Sequence, residues 1–582
     1  MKKMNLIALI ISLILVVSVF PSYAVTAESN AISEVTGKYV VKGETWKYGL
    51  GDAIGFNENT YKTIGTSGSN NWRDGSVSGN GEIAFIESCD PNEDVFIFNN
   101  TKIVTDRDSL YTTPDISHIL DRQRKGAVLK NDYPWMAAVN EYAQEQFGVS
   151  SWDTTWPRPY QPAAQYRIKN NSFTAANTQI YNRYTNYETG EVGVQWKNED
   201  RTVEWNRRSF ASRSDNIIVT HIEADEELNL TLSIDHISQM QGSPGAEFTS
   251  SYFVESDSNG YAMGMVGKYP IINRRGNKNP EETMFARGGW GTATRIIADG
   301  ANFEETTVGG RPALTITGTK SIMLITKVDR QDSGCNDVDD VKRLLYYRLL
   351  SEIDDIVSKY KEDGKLTYEE MLAPHAKIHG DIFNTVRIDL CSTDEEKADR
   401  QLTNTELINK QNSQDTINKA FVERAYYTGR FALICSSGYH TARLGGIWTG
   451  TWFPDWSGDF TLDANVNLQI AGANTGNMEA ATWGYINLIL RMLPDWVTDA
   501  KNIYGMTNAI KAPPRVDGTG QAGSYHFLSN YPHLYVNGIA DWLIIPIFEY
   551  WQCFGNRQVP VGKDIHVENL KEVLDYTDED VE

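Results

Sequence analysis

The sequence predicts a multidomain β + α protein: an N-terminal antiparallel β-sandwich, a helical linker, then a barrel of paired helices. Three observations carry the prediction. From about Thr36 to Lys327, short apolar runs alternate with Gly, Ser and Asn punctuation. From Asp339 the apolar residues change to helical spacing. Beyond Thr403, helical stretches are separated by long Gly-rich and aromatic loops, the pattern of an α/α barrel with its chemistry on the connections.

The first residues read as an address rather than as part of the fold. Met1-Lys2-Lys3 is basic, Leu6 to Val19 is almost wholly apolar, and Ser22-Tyr23-Ala24 has the small residues a signal peptidase cuts after. The expectation is a signal peptide over 1–24 and a secreted or extracytoplasmic protein. No later segment approaches the roughly 18 apolar residues of a membrane span, so none is expected in the mature chain.

Residues 25–330 are assigned to the sandwich. Its strands are read at Glu82–Ile86, Asp94–Phe98, Thr202–Asn206, Asn216–Ile222, Leu228–Ile234 and Ser321–Thr326, with turns at Ser78–Gly81, Glu188–Gly190 and Gly309–Gly310. The linker, 331–390, holds a helix over Asp339–Lys361. A second begins after Thr367, where Glu370 three residues on makes a capping-box pattern. His375 and His379 on that helix have metal-ligand spacing, but no Glu lies between them and no third ligand is evident, so they read as core histidines. Residues 391–582 form the barrel domain, with helices at Ser413–Leu433, Met478–Tyr504 and Ile539–Cys553.

Net charge is −22, from 54 Lys and Arg against 76 Asp and Glu, which argues against nucleic acid as a partner because phosphates would be repelled. The five cysteines are scattered and form no CxxC or Cys/His cluster, so neither a disulfide framework nor a zinc site is expected, and no cofactor is implied. Fifteen Trp and 29 Tyr suit a neutral oligosaccharide or glycan substrate, whose rings stack their C–H faces on flat side chains.

One stretch concentrates these hints. Read as an extended segment, Phe460–Ile470 places Asn465 and Asn467 on one side, behind Trp448, Trp452, Phe453 and Trp456. That combination suggests a sugar pocket walled by the tryptophans.

Several motifs then recur in the order and spacing of a known family. They are Ser78-Gly-Asn-Gly-Glu82, Phe98-Asn-Asn-Thr101, Arg208–Ser212, Leu366–Leu372, Phe383–Leu390, Tyr427-Thr-Gly-Arg430, Leu433–Ser437, Leu444-Gly-Gly-Ile-Trp448 and Asn465-Val-Asn-Leu-Gln469. The chain resembles glycoside hydrolase family 95, the inverting 1,2-α-L-fucosidases and their relatives, patchily from Trp46 to Asn556. Gly445 departs from the family's Gln, Ala84-Phe85 replaces Gly-Ala, and Asp463 stands where some members carry a substrate-binding His. The resemblance implies an (α/α)6 barrel acting on terminal α-L-fucosyl or related α-galactosyl-type linkages. It also implies that Asn465 and Asn467 orient water, while Trp448, Trp452, Trp456 and Asp463 contact substrate.

Inverting hydrolysis needs an acid and a base about 6.5–9.5 Å apart with water between them. An amide oxygen is a weak base, so the two Asn side chains need a carboxylate partner. In the family that carboxylate and the general acid Glu lie further along the barrel than Ile539–Asn556. The reading is therefore a partial barrel of doubtful activity, with a carbohydrate-binding remnant or a half-enzyme completed by a separate part as alternatives. Glu549, on an apolar helix, reads as structural.

Overall fold

A computed structural model describes residues 71–104, 113–121, 159–173, 180–197, 203–235, 249–269, 288–361, 364–452, 454–516 and 536–565, with 141, 142, 145 and 146. The expected signal peptide, Trp46, Phe453 and the acidic tail from Asp575 lie outside these residues.

Among the described residues, thirteen strands form one antiparallel sheet folded over on itself, followed by helices. β1 (Ser76–Gly79), β2 (Ile83–Glu87), β3 (Glu93–Asn100) and β4 (Ala164–Asn170) pair in succession. β4 then joins the C-terminal half of the 18-residue β8 (Ile218–Asp235), with Tyr166 opposite Ile234. The N-terminal half of β8 continues instead into β7 (Glu204–Ala211), β6 (Glu191–Lys197) and β5 (Ile180–Asn186). The 21-residue β13 (Arg311–Gln331) runs along β8 and takes β12 (Asn302–Val308) beside its first half and β11 (Gly289–Ile297) beside its second. β10 (Gly260–Lys268) and β9 (Thr249–Asp257) complete that layer. Two long strands thus belong to both layers, and their register shifts between Thr317 and Ser321 where the sheet bends.

The sequence reading split β8 into two strands, Asn216–Ile222 and Leu228–Ile234. The polar interval Asp225–Glu227 is exposed at the bend, and the ladder with β13 resumes on both sides of it, so the backbone runs on as one strand. Between the layers, Ile83, Phe85, Phe96 and Phe98 meet Val192, Val194, Trp196, Met263 and Trp290 in one apolar core. Arg207 crosses that core. It pairs with Glu87 at 3.1 Å and with Asp94, all three side chains at most 3% exposed. Burial and the neighbouring Asp94 hold the Glu87 carboxyl well above the usual range.

α1 (Val338–Val341) passes through a wide turn at Lys342–Tyr346 into α2 (Tyr347–Tyr360). Val341, Leu345, Leu349, Ile353 and Val357 recur at four-residue spacing and pack on Val219, Val266, Ala293 and Ile325 of the second layer. α3 (Tyr368–Phe383) has the expected capping box, Glu370 N–H donating to Thr367 Oγ1 and Thr367 N–H to Glu370 Oε2. α4 (Asp394–Ala398) and α5 (Asn404–Asn412) lead to α6 (Lys419–Ser436). The reading began that last helix at Ser413. Asn418 sets the later start, its side-chain oxygen accepting from Phe421 N–H at 3.0 Å. α7 (Asn465–Ile470), α8 (Glu479–Tyr504) and α9 (Ile539–Phe554) share a second core with α6, including Phe431, Tyr485, Leu488, Trp496 and Leu543.

The two parts meet at the turn between β1 and β2. Gly81 N–H donates to the Cys435 carbonyl at 2.8 Å and Tyr439 N–H to the Gly81 carbonyl at 3.1 Å. Gly81 has φ +90°, and a Cβ there would lie 2.2 Å from the Ser437 carbonyl oxygen. Between the glycines, Asn80 Nδ2 donates to Ser212 O and Asn216 Oδ1, while its Oδ1 accepts from Glu82 and Ile83 N–H. Close by, the core histidines meet the sheet. Arg213 N–H donates to His375 Nδ1 at 3.0 Å, and His379 Nε2 donates to the Tyr187 carbonyl at 3.0 Å. Burial and the Arg213 charge push His375 down to about 3 and His379 well below its usual value.

Two outcomes are expected. Gly81→Ala should lose more than the roughly 1–3 kcal/mol of a strained backbone, because the methyl group also meets a fixed carbonyl. Gly364→Ala, with φ +80° but open space around it, should lose only the strain, and urea denaturation of both variants separates the two costs. For the histidines the unfolded chain takes up protons below the ordinary value near 6.5 while the folded chain does not, so stability falls as pH falls toward 3. His379→Gln keeps a donor for Tyr187 and removes one titration; its urea midpoint should drop less steeply than wild type between pH 7 and 4.

Candidate active site

The region the sequence singled out is the connection from α6 to α7, and buried arginines give it shape. Arg443 lies between the rings of Tyr160 and Phe460, 4.6 and 4.4 Å from their centroids. It donates to the Thr101 carbonyl of the sheet domain at 2.8 Å and to the Gly458 carbonyl at 3.2 Å. Arg515 pairs with the fully buried Asp459 and donates to the Trp456 carbonyl at 2.8 Å. Burial raises the Asp459 carboxyl to about 6 against the pull of Arg515. The short ribbon of β14 (Phe460–Thr461) and β15 (Arg515–Val516) carries this pair.

The amide pair does not lie on an extended segment. Asn465 opens α7, so Asn467 is turned about 200° from it around the helix axis. Asn465 is exposed; Asn467 is buried and donates from Nδ2 to the Trp542 carbonyl at 2.6 Å. The expected same-side geometry fails because Ala464, at φ 151°, reverses the chain after Leu462 and starts a helix. The Asn467 Oδ1 is buried and, among the described residues, accepts no hydrogen bond. Gln469 repeats the pattern, Nε2 donating to the Arg443 carbonyl at 2.8 Å while its buried Oε1 has no partner among the described residues. A buried amide oxygen left with a free lone pair is a ready acceptor for a water proton.

The three tryptophans separate. Trp452 is 3% exposed and packs edge-on to Trp290 inside the sheet core, 6.0 Å between centroids, so it walls no site among the described residues. Its neighbours Thr449 and Thr451 are buried against the sheet too, Asn99 Nδ2 donating to the Thr449 carbonyl, which carries this stretch into the sandwich. Trp448 is half-buried, its Nε1 donating to the Ser78 carbonyl at 3.0 Å, and Trp456 is 63% exposed. Those two line a cleft of about 660 Å³ between the sheet edge and the loop, with Trp72, Arg73, Arg443 and Asp455. Neither Asn465 nor Asn467 lines it. Asp463 is exposed just before α7, and Glu549 is half-buried on α9. Trp72, Arg73 and Asp455 were missed by the sequence reading; the Trp-Arg step just ahead of Gly79-Asn80-Gly81 was the available signal.

On α9 the inward residues Leu543, Ile547 and Tyr550 are buried, whereas Trp542, Ile545, Phe548 and Trp551 are each 40–48% exposed at three-residue intervals. Leu468 of α7, next in sequence to the Asn467 held by the Trp542 carbonyl, is also 66% exposed.

Residues 367–566 match the glycosyl hydrolase family 95 catalytic domain, and residues 65–331 match the N-terminal domain of glycosyl hydrolase family 65. The helical part of the chain is thus similar to a family 95 catalytic domain, and the sheet part to a family 65 N-terminal domain. The chain is 22% identical over 425 residues to the protein named alpha-L-fucosidase 2 of Arabidopsis thaliana, covering 70% of this chain and 46% of that protein. It therefore spans about half the length of the curated relative it matches. Two solved structures resemble it at 11% identity. One is a candidate kojibiose phosphorylase from human microbiome, at TM-score 0.46 over 92% of this chain and 59% of that one. The other is a bacterial glucoamylase complexed with acarbose, at TM-score 0.32 over 69% and 56%.

Replacing Arg515 by Met should cost about 3–5 kcal/mol, because Asp459 is then left buried and unpaired. Adding Asp459→Asn should recover part of the loss, and a double-mutant cycle by urea denaturation measures the coupling.

Proposed function

We propose that this chain serves the inverting hydrolysis of terminal α-L-fucosyl, or related α-galactosyl-type, linkages of oligosaccharides, with Asn467 holding the attacking water. The observation that carries the reading is the buried Asn467 Oδ1. Its amide is fixed in orientation by the Trp542 carbonyl, and its acceptor is left open. Asn465, exposed at the start of the same short helix, would then face incoming sugar rather than share that water. An amide positions water without deprotonating it, so the proton must pass to a carboxylate. In this reading the carboxylate and the general acid arrive on helices that dock against the apolar face of α9, next to Asn467. Four large apolar side chains exposed at regular spacing support such docking. The basic start and the apolar run Leu6 to Val19 support export as the setting.

A second reading, a carbohydrate-binding protein without hydrolytic activity, is favoured by the cleft around Trp456, which is separate from the amide helix.

The test is fucose release from a 2′-fucosylated lactose. If helices must dock on the exposed apolar face of α9 to complete the site, release should depend on adding them. Mixed with a polypeptide carrying the remaining helices of a family 95 catalytic domain, the chain should turn over, and Asn467→Ala should lower kcat by roughly 10²–10³-fold, the usual cost of a group that polarises the reacting centre. Robust turnover by the chain alone would overturn the docking of helices on α9. Full activity of N467A in the mixture would overturn the role of the amide.

A further inference from the structure

We propose that the 660 Å³ cleft between the sheet edge and the α6–α7 loop is a second saccharide-binding site, separate from the amide helix, that grips a neutral sugar ring against Trp456. The inference rests on the reading of the chain as carbohydrate-active and adds to it a place, a ligand class and a set of contacts. The volume falls within the roughly 300–1,000 Å³ of small-molecule sites.

Its walls come from both parts of the molecule. Trp72 is supplied ahead of β1, where its ring lies against Gly450; a Cβ on that glycine would come within 2.4 Å of the indole. Trp448 is pinned by its hydrogen bond to Ser78. Both indoles are therefore fixed before any ligand arrives, which spares the entropy of ordering them.

Trp456 is the decisive residue. It sits at φ 55° and the following Ser457 at φ 61°, two consecutive left-handed residues of which neither is glycine or asparagine. Such a backbone costs of order 1–3 kcal/mol per residue and persists only where surrounding structure enforces it. Enforcement comes from Arg515, which donates to the Trp456 carbonyl and lies 5.3 Å from the centre of its ring. The outcome of that strain is an indole 63% exposed over the mouth of the cleft. Burial would be the ordinary fate of a tryptophan, so the fold holds this one outward against its own preference.

Polar groups for sugar hydroxyls stand at the rim. Arg73 donates to Asp455 at 2.8 Å, with side chains 50% and 79% exposed, leaving donor and acceptor positions open on both. One cation and one anion at the rim, in a chain of net charge −22, suit a neutral ligand better than an anionic one.

Binding of 2′-fucosylated lactose and of lactose to the full chain, followed by titration calorimetry, tests this. Trp456→Gly should weaken binding at least about tenfold, the loss of one stacking platform. Its thermal midpoint should stay level or rise, since glycine adopts φ 55° without strain. Asp455→Ala, at an exposed rim position, should weaken binding with the fold intact. Unaltered affinity in both W456G and D455A would overturn the cleft as a sugar site. Loss of binding in N467A alone would place the sugar at the amide helix, overturning this inference while leaving the hydrolase reading standing. Absence of binding by the wild-type chain would also overturn it, whereas the hydrolase reading fails only if the mixed polypeptides release no fucose.

Discussion

The rest of the molecule depends on how closely two backbones approach at Gly79-Asn80-Gly81. A turn of the sheet lies directly on the end of α6, with Gly81 and Tyr439 exchanging hydrogen bonds with the opposite strand of chain. Side chains at either glycine would drive the two parts about a methyl group further apart, since a Cβ at Gly79 would already meet the Cys435 carbonyl oxygen at 2.7 Å. Asn80 satisfies four groups at once, which keeps the turn in the one shape that allows the approach. From this junction the loop after α6 is launched along the sheet, and the cleft and the amide helix follow from its path.

That path is held mainly by cations placed among carbonyls and rings. Arg443 spans Tyr160, Phe460 and the Thr101 carbonyl, while Arg515 joins Asp459 to the Trp456 carbonyl. Buried charges of this kind add little net stability over apolar packing, and their value is that few other arrangements satisfy them. The region needs such control because its backbone is unusual: Trp456, Ser457 and Ala464 all have positive φ within nine residues of chain. Arg207 plays the corresponding part in the sandwich, tying β7 to β2 and β3 through Glu87 and Asp94.

Much of the architecture was legible because it rests on local periodicity. The alternation of the strands, the helical spacing from Val341 to Val357 and the Thr367–Glu370 cap are all properties of neighbouring residues. The histidines at 375 and 379 were rightly read as core, and the structure adds the partners, Arg213 and Tyr187, that account for them. What escaped the reading depended on distant chain. A polar interval looked like a break in β8 because the long ladder with β13 is not written near it. Trp452 looked like a sugar platform because a sequence does not say which of three tryptophans in one loop will be drawn into the sheet core by Trp290.

Sequence alone determined the order of sheet and helices and singled out the stretch from Trp448 to Gln469, since motif order and hydrophobic period are carried in the chain itself. Only the tertiary structure decided what those residues do with one another. It wound Asn465 and Asn467 onto a helix that turns them apart, sent Trp452 inward and Trp456 outward, and brought Trp72 and Arg73 to a cleft more than 370 positions away from Trp448 in sequence. The physical reason is that side-chain direction follows backbone conformation, and in this loop that conformation is imposed by buried arginines and by the docked sheet rather than by local preference.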